Sequence, residues 1–177
     1  MSSDIDIVEE INDGSLYLRK IKKKDAELFY TNYFREKTVE SAKRFRRYLK
    51  WWDAYPENYA QYHYIIEIRE SDIKSVGSIN FWNLNWRHRR GEIGVWIIPS
   101  CRNKGFGKKS LNLIKNIGFF HLKLNRIEAH IAPKNEISIN LFEKCGFRKE
   151  GILEQYWQDG NEYRDALVFV CLRDEHF

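Results

Sequence analysis

Arg102-Asn103-Lys104-Gly105-Phe106-Gly107-Lys108 is the stretch that decides how this chain is read. It follows an apolar, strand-like run at residues 91–98, which Pro99 ends. It precedes a helical pattern from about residue 107 to 122, with Leu111, Ile114, Ile117 and Gly118 on one face. The first turn of a helix leaves amide protons without intrahelical partners and carries the positive end of the macrodipole. Gly105 and Gly107 let a ligand approach the backbone with no Cβ in the way. Arg102, Lys104, Lys108 and Lys109 gather positive charge at the same point. Such a strand–loop–helix junction suits a pyrophosphate. The GxxxxGK[ST] and GxGxxG loops are both absent. Taken alone, the stretch also reads as a glycine-rich turn with solvated basic flanks.

Outward from the loop, the chain divides into short elements. Residues 15–20 alternate Leu16 and Leu18 with polar residues and predict a first strand. Asp25 suits the cap of a helix over 26–35. A second helix is expected over 38–52, where Val39, Ala42, Phe45 and Leu49 recur at helical spacing. Its other face carries Lys43, Arg44, Arg46, Arg47 and Lys50, a pattern that suits a solvated face or an anionic partner. Residues 62–69 and 75–82 read as a hairpin across the turn-like 70–74. Residues 126–131 predict a strand, 135–144 a short helix, and 147–154 with 163–172 the closing strands. Strand–helix–strand order in the second half implies parallel pairing, and the hairpins imply antiparallel pairing. The expected fold is therefore a single α/β domain spanning 1–177, with a mixed sheet and residues 1–14 as an N-terminal extension.

Bulk properties set limits on partners. The 177 residues are 43% hydrophobic and 31% charged, which is enough to bury one core. Residues 1–10 are acidic and lack the basic-then-apolar pattern of a secretory signal, and the apolar runs are too short to cross a bilayer. A cytoplasmic protein without membrane contact is expected. Cys101, Cys145 and Cys171 form no CxxC pair and have no histidine at ligand spacing, so free thiols and no metal are expected. A formal charge of +5 favours an anionic ligand without choosing between nucleic acid and a phosphorylated small molecule.

Asn135-Glu136-Ile137-Ser138-Ile139-Asn140-Leu141-Phe142-Glu143-Lys144-Cys145-Gly146-Phe147 is the second informative segment. Together with the strand from Glu92 and the loop from Arg102 to Gly107, it resembles the two central motifs of the GNAT acetyltransferase superfamily, in order and at the right separation. The continuation through Gly151, Asp159-Gly160-Asn161 and Tyr163-Arg164-Asp165 looks like the RimJ/RimL-type branch of ribosomal-protein N-terminal acetyltransferases. The resemblance runs from Leu16 to Leu172, strongest after Glu92. It implies a GNAT-like, mostly antiparallel sheet with a splayed parallel pair of central strands, flanked by helices. The implied cosubstrate is acetyl-CoA. Its pantetheine would meet the backbone near Ile97 and Ile98. Its pyrophosphate would rest on the amides of Asn103, Lys104, Gly105, Phe106 and Gly107, flanked by Arg102 and Lys108. Asn135 would bond the pantetheine, a role compatible with capping its own helix, and Ser138, Asn140 and Phe142 would line the far wall.

The implied reaction is direct attack of an amine on the thioester, with no enzyme-bound acyl group. A strand amide, that of Ile97, would meet the developing oxyanion. An ammonium must first lose its proton. The resemblance offers Glu92 as the base and Ser138 as an aid to proton transfer, with His130 and Glu128 as further groups. A structural reading pairs Glu92 with Arg89 or Arg90 instead. Phe142 stands where many relatives have a tyrosine acid, and Trp157 where a near relative has a glutamate. The acceptor would be a protein N-terminus, an aminoacyl-nucleotide or an amine antibiotic, taken from among Trp51, Trp52, Tyr55, Trp82, Trp86, Tyr156 and Trp157. These aromatics also suit a core. The alternatives are a nucleic-acid or ribosome binder using residues 44–50 and 87–90, and a CoA-binding domain without catalysis. Either a monomer or a homodimer is compatible with the sequence.

Overall fold

The computed structural model of the chain describes residues 8–25, 50 and 62–176. The strands are β1 (Glu10–Asn12), β2 (Tyr17–Lys20), β3 (His63–Arg69), β4 (Ile73–Asn85), β5 (Arg90–Ile97), β6 (Arg126–Ile131), β7 (Arg148–Asp159) and β8 (Glu162–Leu172). The helices are α1 (Phe106–Asn116) and α2 (Glu136–Glu143). The strands form one sheet in the order β1-β2-β3-β4-β5-β6-β8-β7, with β5–β6 as its parallel pair. The expected mixed α/β architecture is the one observed. The helices expected over 26–35 and 38–52 lie outside the described residues, apart from Lys50. Strand β1 has no counterpart among the expected elements, because three residues at a sheet edge carry too little periodicity to register.

Helix α1 forms because Leu111 and Ile114, with Ile117 just beyond its end, put a fully buried stripe on one side. Each such burial contributes roughly 1.5–3 kcal/mol. The helix ends in a π turn, Ile117–His121, rather than running on as α-helix to 122. Gly118 explains the seating there. A Cβ at that position would lie 2.6 Å from Ile127 Cδ1 and 2.8 Å from Phe81 Cζ, so only glycine lets the chain approach the sheet so closely. Phe81, Ile93, Ile127 and Ala129 form the sheet side of this core. Helix α2 starts at Asn135, whose Oδ1 accepts from the Ser138 amide at 3.2 Å.

The feature that positions the site is where β5 and β6 part. They pair only at Arg90↔Arg126, Gly91↔Ile127 and Glu92↔Glu128. Beyond that, β5 stays bonded to β4 as far as Gly77↔Ile97, and β6 stays bonded to β8 as far as Ile131↔Leu167. Both strands are therefore held on their outer edges while a gap opens between them. The splay is a built feature and not a frayed end.

Among the described residues, no helix is long and apolar enough to cross a membrane. Nor, among them, does any group of three or more His, Cys, Asp or Glu side chains have the arrangement to hold a metal ion.

Candidate active site

A cleft of about 490 Å³ opens between the start of α1, the outer face of α2 and the free edge of β5. Which backbone groups face it follows from strand register. In an antiparallel pair, successive residues turn their amide and carbonyl alternately toward and away from the partner. The Ile98 amide donates to Val76 O at 2.9 Å, so Ile98 faces β4. By alternation Ile97 and Val95 turn their amides and carbonyls toward the gap. The Ile97 carbonyl accordingly accepts from Arg102 Nε at 3.2 Å.

The loop is shaped for close approach. Gly105 caps α1 with φ at 81°, in the left-handed region, and a Cβ there would meet nothing within 4 Å. Asn103, at φ 60°, also lies in that region, so the loop turns sharply before the helix begins. Gly107 faces Leu141 and Ile97, both of which line the cleft. Lys108 lines it too, whereas Lys109 reaches away to Ser15 Oγ at 2.6 Å.

Of the residues expected at the cofactor site, Ile97, Arg102, Asn103, Gly105, Phe106, Gly107, Lys108, Asn135, Ser138 and Asn140 meet around this one cleft. Three do not. Ile98 is turned to β4, as its hydrogen bond requires. Lys104 is on the exposed outer side of the turn and is not part of the lining. Phe142 is 3% exposed and packs edge-on against Phe147 with ring centroids 5.0 Å apart, in the core rather than on the wall. The wall is made instead by Ile137, Leu141 and Lys144, with Val95, Trp96 and Cys101 opposite. A signal for this lay in helical spacing. Ile137, Asn140, Leu141 and Lys144 share one face of α2, while Ile139 and Phe142 share the other.

The described lining has the parts that an extended phosphorylated thioester requires. The glycine positions leave the first α1 amides open, cationic side chains flank them, and an unpaired strand edge runs inward. These residues fit acetyl-CoA.

A second cluster sits on the opposite face of the sheet. Ile93 points into the core under α1, so its neighbour Glu92 points the other way. Glu92 is the last β5 residue paired with β6, at the point where the gap begins. Its Oε2 accepts from Asn83 Nδ2 at 2.8 Å, and its Oε1 lies 3.3 Å from His130 Nδ1. His130 is the first residue of β6 on this face beyond the last β5–β6 pair. Tyr156 packs edge-on against the His130 ring, with centroids 4.9 Å apart. Trp82 pairs with Glu92 across β4 and β5 and lies over Gly94, where a Cβ would come within 2.8 Å of its Cζ2. Trp82 and Tyr156 are 49% and 44% exposed.

Glu92 pairs with neither Arg89 nor Arg90. Arg90 pairs with Glu128 at 2.8 Å, and Arg89 donates to the Lys123 carbonyl at 3.2 Å. Glu128 is held between Arg90 and Arg126. Ser138 belongs to the cleft side, on α2. Trp51, Trp52, Tyr55 and most of the basic run at 44–50 lie outside the described residues. All three cysteines are free and buried, and burial pushes the thiols of Cys145 and Cys171 above their usual range, which disfavours the thiolate a nucleophile requires.

Comparison with known proteins agrees with this geometry. Residues 15–148 match the family described as acetyltransferase (GNAT) domain. An uncharacterized N-acetyltransferase of Bacillus subtilis, YoaA, is 34% identical over 167 residues, covering 89% of this chain and 93% of that protein. A spermidine N(1)-acetyltransferase of Vibrio cholerae is 27% identical over 118 residues, 66% of each chain. Among solved structures, the spermidine N-acetyltransferase of Vibrio cholerae in complex with CoA and spermine superposes with a TM-score of 0.77. That match covers 93% of this chain and 99% of that one at 21% identity, a likeness of fold.

Proposed function

The chain belongs to the GNAT acetyltransferase family and is an acetyl-CoA-dependent N-acetyltransferase; on that premise we propose that its acceptor is the primary amine of a small cationic molecule, with polyamines the first class to test. The observation that carries this reading is the position of Glu92. It lies where the splay begins, on the face away from the cofactor cleft, between the exposed rings of Trp82 and Tyr156. A carboxylate flanked by aromatic faces attracts an alkylammonium both by charge and by cation–π contact. The name of the Vibrio cholerae relative points to the same class of acceptor.

In this reading each part of the chain has one duty. The open amides at the start of α1, with Arg102 and Lys108, hold the pyrophosphate. Val95 and Ile97 offer their gap-facing backbone groups to the pantetheine arm, and Asn135 offers the side-chain amide group that its capping bond leaves free. Acetyl-CoA, when bound, supplies a thioester carbonyl as the electrophile. Glu92 accepts the proton that an alkylammonium must lose before its nitrogen can attack, and His130 is placed to share that proton. The Ile97 amide is the strand donor available for negative charge on the carbonyl oxygen. Phe142 is buried and has no proton to give. A thiol is acidic enough to depart as thiolate, so α2 need not supply an acid.

The test is a thiol-release assay with acetyl-CoA over a panel of spermidine, peptides beginning with Ser or Ala, and an aminoacyl-nucleotide. Acetylation of spermidine, lost in Glu92→Gln, is expected. Tight acetyl-CoA binding with no acetylation of any of these amines would favour a binding domain without catalysis. Acetylation of the peptides alone would move the acceptor class to protein N-termini.

A further inference from the structure

Tyr156 reaches His130 because β7 is interrupted. Between the paired positions Leu153↔Ala166 and Trp157↔Arg164, β7 carries three residues, Glu154, Gln155 and Tyr156, where β8 carries only Asp165. A bulge of this size removes ladder hydrogen bonds and turns side chains out of the regular alternation. Its centre, Gln155, has φ at 51°, a left-handed backbone that a side chain with a Cβ adopts at a cost. Glycine is the residue that would relieve that cost, and the chain has glutamine there. A non-glycine residue held at positive φ is sustained by its surroundings and is concentrated at functional positions.

The support comes from the single residue opposite. Asp165 Oδ1 accepts the Gln155 amide at 2.8 Å, a charge-assisted bond that replaces what the ladder has lost. The result is local and directional. Tyr156 stands edge-on to His130, Trp157 packs against Tyr156 with centroids 5.5 Å apart, and His130 in turn faces Glu92. The Tyr156 hydroxyl is held protonated above its usual range, first by burial and then by the charges of Glu92 and Glu128.

We infer that this bulge is a built part of the acceptor site: Asp165 is a positioning residue that, through the Gln155 backbone, holds the Tyr156 ring against His130 as a wall where the acceptor amine meets Glu92. The inference rests on the reading of the Glu92 face as the acceptor side. The Tyr156 ring, not its hydroxyl, is the element required. Asp165 touches neither substrate and acts only by fixing the bulge.

The test uses Asp165→Ala, Asp165→Asn, Tyr156→Phe and Tyr156→Ala, with spermidine as the probe acceptor. Asparagine keeps the accepting oxygen and phenylalanine keeps the ring. Asp165→Asn and Tyr156→Phe should therefore stay near the parent, while Asp165→Ala and Tyr156→Ala should raise the KM for spermidine about tenfold, as expected once the wall is in its competent position only about a tenth of the time. Affinity for CoA, measured by calorimetry, should stay within about twofold, because the cleft lies on the other side of the sheet. The His130 ring protons, observed by NMR without any ligand, should shift in Asp165→Ala and Tyr156→Ala and return in Asp165→Asn. An unmoved His130 resonance in Asp165→Ala overturns the positioning role whatever Glu92→Gln does. Loss of CoA affinity in step with the rise in KM overturns it as well, since the bulge would then support the fold at large. If the His130 resonance moves but Tyr156→Ala leaves the spermidine KM unchanged and Glu92→Gln leaves kcat unchanged, the acceptor-side reading itself is overturned.

Discussion

Gly107→Ala separates the architecture of the cleft from its stability. The added Cβ would lie 3.0 Å from Leu141 Cδ2 and 3.9 Å from Ile97 Cγ1, both cleft residues. Alanine at a helix position gains up to about 1 kcal/mol over glycine. Moving Leu141 off its rotamer costs about 0.5–1.5 kcal/mol. These offset one another, so folding stability should change by no more than about 0.5 kcal/mol, or roughly 2 °C in Tm for a chain of this size. Binding should respond differently. The methyl group and the displaced Leu141 both intrude where a phosphate must reach the helix amides, and losing one charge-assisted hydrogen bond costs about 1.5–3 kcal/mol. That converts to a rise in the Kd for CoA of roughly ten- to a hundredfold.

Gly105→Ala is the contrasting variant. Its Cβ meets nothing within 4 Å, but φ is 81°, so the penalty is backbone strain of about 1–2 kcal/mol and a Tm lowered by roughly 2–8 °C. Thermal unfolding paired with isothermal calorimetry on both variants reads the two effects separately. A Gly107→Ala protein that binds CoA as the parent does would refute the placement of the cofactor at the start of α1.

Other outcomes follow from the same geometry. Glu92→Gln should lower acetyl transfer by about 10²-fold or more at unchanged CoA affinity, as seen in kcat and in calorimetric titration. Phe142→Tyr should not restore a missing acid, because the ring is in the core beside Phe147; a buried hydroxyl without a partner should cost about 1–3 kcal/mol, read as a lower urea midpoint with no gain in turnover. Burial lowers the His63 imidazole to about 4, with the Asp25 charge opposing. The folded pKa is below the unfolded value near 6.5, so the unfolded chain binds more protons between these limits, and stability should fall as pH drops from about 6.5 toward 4. Urea midpoints across that range should slope less in a His63→Phe variant, and an equal slope would exclude His63 as the cause.

The cofactor side was legible because its signals are local. A strand ended by Pro99, glycines at the turn and a helical stripe beginning just after them are properties of consecutive residues, and the motif from Asn135 onward follows them in the chain. The wall of α2 was legible in principle from its spacing. Phe142 packs into the core because the periodicity that groups it with Ile139 sets its direction, whatever its place in the family motif. The exchange of Ile98 for Val95 had no local signal at all. Which strand amides face the gap depends on the parity of pairing with β4, and a shift of one residue would reverse it.

By itself, then, the order of residues determined the element types, the parallel crossover into β6 and the glycine-rich, cationic start of α1, since each depends on dihedral preference and periodicity along a few residues. Only the tertiary structure decided that Glu92 faces His130 rather than an arginine, that Arg90 is committed to Glu128, and that Asp165 turns Tyr156 toward the end of the paired region. Those outcomes depend on contacts between residues far apart in the chain, fixed by strand register and by a bulge whose geometry exists only once β7 and β8 have paired.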